Sequence, residues 1–247
     1  MKKRLLIIIN IICLSVLSYG QEPLLEARAF YDAGEYAEAI ALYDSLLAVN
    51  PSAELEYNIA NTYYKAGEIG SSILHYERAL RLRPSYSDAK YNLKIAQQRI
   101  VDDLKNDNET LLSVWVMFVI RSLTEQDWII FSLIAFFIFL AGIITFSFVR
   151  SVPVRKTGFY VACIAILFSI TTFIFAGVEH KENKEQRDAI VMQSIVSVKS
   201  SPDKSGTDIF VLHEGTKVHI RSVLSDWVEI QVADNVGWIR LSCIERI

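Results

Sequence analysis

The stretch FYDAGEYAEAIALYDSLLAVNP, residues 30–51, returns as YYKAGEIGSSILHYERALRLRP at 63–84: 22 residues each, 33 apart, identical at eight places. A phrase repeated at that period constrains the fold more than any other feature of the chain. Each unit is too small to bury its own apolar side, so the units must stack. Ala33-Gly34 matches Ala66-Gly67, Ile40 matches Ile73, Tyr43 matches Tyr76, Leu47 matches Leu80 and Pro51 matches Pro84. Apolar residues three and four apart from Tyr36 to Leu47 predict an amphipathic helix. Gly34 and Gly67 supply tight turns, and each proline stops a helix because it lacks an N–H and clashes with the preceding turn. The expected unit is helix, turn, helix, stop.

After Pro84, SYSDAKYNLKIAQQRIVDDLKND carries Tyr91-Asn92-Leu93, an echo of Tyr57-Asn58-Ile59 at 34 residues, and predicts one capping helix. The pattern resembles the tetratricopeptide repeat. Its first copy supplies Ala27, Phe30, Gly34, Tyr36, Ala39, Tyr43 and Pro51; its second supplies Ile59, Ala60, Tyr63, Gly67, Tyr76, Ala79 and Pro84. Glu26 stands at a usually apolar place, Ser72 replaces the usual Ala, and the period is one residue short. The resemblance implies an all-α array over 21–106 whose first helices line a groove. Tyr31, Tyr57, Asn58, Asn61, Tyr64, Lys65, Tyr91 and Asn92 are then the candidate ligand-binding residues. Asparagine both donates and accepts, which suits the backbone of an extended peptide; the same tyrosines also suit packing between repeats. Arg28 occupies a position where the carboxylate-clamp subset has Asn, so that specificity is not implied. Arg78, Arg81 and Arg83 read as a solvated basic face.

The chain is 52% hydrophobic, and two runs account for much of this. Residues 128–149 and 157–178 carry no charge, and each is long enough to cross a core of about 30 Å as a helix. The loop expected at 150–157 holds Arg150, Arg155 and Lys156 and no acid, which places it in the cytoplasm and both flanking regions outside it. Residues 1–20, with Lys2, Lys3 and Arg4 before an apolar run, read as a signal peptide cut before Gln21, and an export signal demands the same topology. An uncleaved anchor helix is the rival reading; lipidation at Cys13 fits poorly because Ile12 precedes it. Trp128 and Tyr160 fit interfacial anchoring. Residues 107–127 include LLSVWVMFVI, too short to span, read as an interfacial or docked segment. Residues 179–188 read as a charged linker.

From 189 to 247 the apolar pattern alternates. Short runs separated by Pro202-Asp203, Glu214-Gly215, Ser225-Asp226 and Asp234-Asn235 predict a small all-β barrel. DWVEIQVADNVGWIRL, with Trp227 and Trp238 flanking a turn, resembles bacterial SH3 domains, which implies an SH3-like barrel. Both tryptophans are candidates either for a binding surface or for the core.

The net charge of −3 gives no reason to expect a nucleic-acid partner. The four histidines lack metal-ligand spacing, and neither GxSxG, P-loop nor GxGxxG occurs, so no enzyme activity, metal or cofactor is expected. Three cysteines make no disulfide framework. The order of parts resembles the BatE-type family of Bacteroidetes aerotolerance (Bat) operons. That resemblance implies von Willebrand A-domain membrane proteins and a MoxR-type ATPase as partners, in the inner membrane with both terminal domains periplasmic. Two functions follow as expectations: a scaffold presenting two modules to a bivalent partner, or a sensor whose SH3 domain binds peptidoglycan.

Overall fold

The computed structural model describes residues 22–102, 111–185 and 187–247, which form two compact units, the first from the helical repeats and the C-terminal strands and the second from the apolar helices. The expected signal peptide at 1–20, with Cys13, lies outside the described residues.

In the first unit, α1 (Glu22–Ala33) pairs with α2 (Tyr36–Val49), α3 (Ala53–Ala66) pairs with α4 (Ile69–Leu82), and α5 (Ser87–Gln97) follows alone. Local chemistry sets these limits. Ser52 caps α3 by accepting the Leu55 N–H at 3.2 Å, and Gly67 ends it in the left-handed conformation at φ +89°, open to glycine without strain. Ala27, Ala39, Ala60, Ala79, Ala89 and Ala96 are all fully buried, so neighbouring helices approach closely. Tyr43 and Tyr76 fill the larger gaps.

The C-terminal strands are β1 (Asp188–Val191), β2 (Ile195–Lys199), β3 (Asp208–His213), β4 (Lys217–Leu224), β5 (Trp227–Val232), β6 (Asn235–Arg240) and β7 (Ile244–Arg246). They make one antiparallel sheet in the order β3-β2-β6-β5-β4-β1-β7. Alternate residues Val228, Ile230 and Val232 pack with Val196, Val198, Leu212 and Val218 in its core. The all-β class agrees with the alternating pattern, but the expected barrel closure does not occur: β3 and β7 remain edges. The β7 edge is engaged by α4, where Arg78 donates to Glu245 Oε1 (2.9 Å) and the Arg246 carbonyl (2.7 Å), and Arg81 donates to the Ile247 backbone oxygen. Arg78 and Arg81 are therefore clamps on the sheet, not a solvated face.

Nor are repeats and sheet separate modules. Ile190 and Ile247 lie in one buried cluster with Ala60, Ile73, Leu74, Tyr76, Ala89 and Leu93. Asp102 accepts from the His213 N–H, the Thr216 hydroxyl and the His213 ring, each at 2.7 Å. Lys217 bridges Glu77 of α4 (3.1 Å) and Asp188 (3.2 Å).

The second unit comprises α6 (Leu111–Ile120), α7 (Glu125–Phe148) and α8 (Val152–Glu185). Both α7 and α8 are long and apolar enough to cross a membrane. Thr124 and Asp127 form a reciprocal capping box that starts α7. The connector is shorter than the expected 150–157 loop because Pro153 sits in the first turn of α8, where its missing N–H costs nothing. At its other end α8 runs through most of the expected linker to Glu185, since the Glu and Lys residues there are good helix formers. Trp128 is buried: its indole donates to the Ile120 carbonyl at 2.9 Å and its ring meets Phe175 edge-on, so it ties α6 to α7 in place of the expected interfacial anchor. Tyr160 is exposed.

Candidate functional site

A cleft of about 320 Å³ opens on the repeats, lined by Tyr31 of α1, Tyr57, Asn61, Tyr64 and Lys65 of α3, Tyr76 of α4, and Asn92 and Ile95 of α5. The first helices of successive units present these side chains because the 33-residue period returns the same helical phase.

Its floor is one hydrogen-bonded network. The Tyr76 hydroxyl donates to Asn61 Oδ1 at 2.5 Å, and the Asn92 amide donates to the same oxygen at 3.0 Å and to the Tyr57 hydroxyl at 3.1 Å. Four side chains from three helices thus hold one another, a mutual arrangement that fixes which polar edges face outward. Tyr57 also meets Tyr76 and Tyr86, with ring centroids 6.0 and 5.0 Å apart. Burial pushes the Tyr76 hydroxyl well above the usual phenol range, partly offset by the Asn92 hydrogen bond; Tyr31 is raised by burial and by nearby Tyr36 and Asp32. Both remain neutral phenols at physiological pH, able to donate and accept. Among the described residues no carboxylate lines the cleft. Lys65 is exposed, and the Arg99 guanidinium lies 4.9 Å from the Tyr64 ring centre. Neutral, aromatic and amide-rich, the cleft offers hydrogen bonds and stacking to an extended chain.

Of the eight residues expected at the groove, Tyr31, Tyr57, Asn61, Tyr64, Lys65 and Asn92 line the cleft and Asn58 and Tyr91 do not. Successive residues on a helix point about 100° apart, so when Tyr57 and Asn92 face the cleft their neighbours turn away. Tyr91 is 69% exposed, and Asn58 is half-buried, its backbone carbonyl accepting the Thr62 hydroxyl. Sequence reasoning missed Tyr76 and Ile95. Tyr76 reads as a core position, and its 1% exposure agrees, yet its hydroxyl reaches the cleft. Ile95 carries a usable signal: it lies one turn after Asn92.

Behind the cleft, His75 Nδ1 meets Glu56 Oε2 at 2.6 Å, both buried, with Tyr63 stacked on the imidazole at 5.3 Å. On the sheet, Trp227 and Trp238 are half-buried on the face opposite the core. Trp227 pairs across strands with Arg240, whose guanidinium lies 5.1 Å from the Trp227 ring centre, and Trp238 pairs with Glu229. Arg150, Arg155 and Lys156 are exposed around the start of α8.

A search of curated proteins found no match. The family model for the tetratricopeptide repeat matches residues 24–87, the span from α1 to the start of α5 that builds most of the cleft. That stretch of the chain is a tetratricopeptide repeat region, a repeat type that points to protein–protein interaction.

Proposed function

We propose that this chain is a membrane-anchored, non-enzymatic adaptor that grips an extended segment of a partner protein in the Tyr–Asn cleft. The observation that carries this reading is the network joining Tyr57, Asn61, Tyr76 and Asn92. It presents amide and phenol groups at one open surface formed by three helices. Extended chains expose backbone N–H and C=O groups that such side chains satisfy, and tyrosines supply stacking area at small entropic cost. Two apolar helices support placement in a membrane, and the basic connector at Arg150, Arg155 and Lys156 supports a cytoplasmic turn with the repeats and sheet on the opposite side. By resemblance to the BatE-type family, the setting is an aerotolerance or envelope complex of the inner membrane, with periplasmic repeats, and with von Willebrand A-domain membrane proteins and a MoxR-type ATPase as partners. The Trp227–Trp238 hairpin, similar to those of bacterial SH3 domains, supports an adaptor role. Because repeats and sheet share a core, they act as a single binding body and not as two tethered modules.

The test is co-purification from native membranes with wild type and the Asn61→Ala/Asn92→Ala double variant. A stoichiometric protein lost only in the variant is expected; equal recovery with both removes the cleft as the binding site. A second reading has its own observation: both tryptophans lie on the outward face of the sheet, a surface open to peptidoglycan. Sedimentation of the full chain with wall sacculi, undiminished by Trp227→Ala and Trp238→Ala, would end it.

A further inference from the structure

In stacked helix pairs each first-type helix is normally covered by its own second helix. Among the described residues of this unit, no second helix follows α5. The sheet stands in that place: Ile190 of β1, fully buried, and Ile247, just past β7, enter the buried cluster that contains Ala89, Leu93 and Ala96 of α5 and Ile73, Leu74 and Ala79 of α4. The β3–β4 turn closes on the same layer, where a Cβ at Gly215 would lie 3.1 Å from Ile73 Cδ1 and 3.3 Å from Ile100 Cγ1. Around this apolar plug runs a polar seam. The Gly70 N–H donates to Glu214 Oε1 at 2.9 Å, Asp102 holds His213 and Thr216, and Arg78 holds Glu245.

The plugged cluster is also the cleft's support. Tyr76 belongs to it, and Tyr57 and Tyr64 pack against it. We propose that Ile190 and Ile247 are positioning residues for the cleft: the sheet supplies the missing layer that holds these tyrosines, and through their hydroxyls Asn61 and Asn92, in the binding arrangement. This deepens the adaptor reading and rests on it for its functional meaning. The physical reason is close packing. A void opened in this cluster removes partner atoms from the layer that Tyr76 belongs to, so the layer re-packs, and the hydroxyl that Asn61 accepts moves with it. The sheet is then part of the binding unit.

The experiment uses the full chain in detergent micelles, with hydrogen exchange and tyrosine acetylation by N-acetylimidazole both mapped by mass spectrometry. Ile190→Ala is compared with Ile190→Val and with Leu212→Ala. Leu212 is equally buried, but in the sheet's own core, outside the helical cluster. Ile190→Ala is expected to speed exchange about tenfold or more in α3 and α5, and to raise acetylation at Tyr57 and Tyr76. Ile190→Val should restore both, and Leu212→Ala should loosen the sheet alone. Should Ile190→Ala not accumulate, Ile247→Ala replaces it with the same expected pattern. Loosening confined to the sheet in the Ile190 or Ile247 variant overturns the proposal, as does equal loosening of α3 and α5 by Leu212→Ala. No ligand enters the measurement, so its outcome is independent of whether the adaptor reading itself holds.

Discussion

The two units of this chain are packed inside out relative to each other. In the repeats and sheet, large apolar side chains go inward: Ile73, Leu74, Tyr76, Ile190 and Ile230 are buried. In the apolar helices the small residues go inward. Gly142, Ala135, Ala162, Ser132, Ser169 and Thr172 lie between α7 and α8, while Phe137, Phe148, Leu167 and Phe173 face outward at 66–80% exposure. A Cβ at Gly142 would sit 2.9 Å from the Gly158 carbonyl oxygen, so the backbones touch there. Ser132 and Ser169 exchange reciprocal hydroxyl-to-carbonyl hydrogen bonds at 3.0 Å. Water drives the first arrangement by excluding apolar surface. In lipid that drive between helices vanishes, and close approach of small residues with interhelical hydrogen bonds replaces it. The contrast is the one expected between a unit packed against water and a pair of helices long and apolar enough to cross a membrane.

Substitutions should follow the same division. The largest effect is expected for Tyr76→Ala, which removes a ring buried to 1% exposure and costs about 3–5 kcal/mol of stability in the repeat–sheet unit. A denaturant midpoint equal to wild type would mean that the ring is not core. Second, Gly142→Leu forces apart helices already in contact and should cost about 1–3 kcal/mol. Cysteine pairs placed across α7 and α8 should cross-link more slowly in this variant, and an unchanged rate would contradict the close crossing. Third, Asp102→Asn should cost about 1–3 kcal/mol at neutral pH, because the seam loses a charge-assisted acceptor.

That third effect carries a pH signature. Burial raises the Asp102 pKa, but the hydrogen bonds from the His213 backbone, the Thr216 hydroxyl and the His213 ring outweigh it. Its carboxyl therefore lies below the usual range. Asp188 behaves alike: burial raises it, and Lys217 with His219 lowers it by more. A carboxyl depressed in the folded state contributes stability that is fully present above its unfolded value near about 3.9 and is lost as pH falls through the folded value. Wild type and Asp102→Asn should thus differ at pH 7 and converge in acid, in urea melts followed by circular dichroism. A gap constant down to pH 2 would rule out the charged seam. The smallest effect is expected for Ser132→Ala, about 0.6 kcal/mol, measurable by steric trapping of the hairpin; a cost above Tyr76→Ala would reverse the comparison.

How much of this was legible depended on the range of the signal. The repeat showed itself because a 33-residue period writes the same helical phase twice. The cleft was legible to the extent that one face of α3 and α5 could be phased, and Asn58 and Tyr91 mark the limit, each one residue off the face. The seam was not legible. Arg78 and Glu245 are 167 residues apart, and two arginines on one helix look alike whether they meet solvent or a distant strand. Barrel closure was misjudged for the same reason, because alternation specifies strands and faces but not what engages an edge. The charged stretch after Val178 read as a linker by composition, although Glu and Lys are also strong helix formers.

The most direct test of the cleft as a binding site is in-membrane photocross-linking. Benzoylphenylalanine is placed at Tyr31 or Ile95 on the cleft wall, and at Tyr91 on the exposed side of the same array. The expected result is one protein cross-linked from Tyr31 and Ile95 and absent from Tyr91. Equal capture from all three positions, or capture from Tyr91 alone, would contradict it.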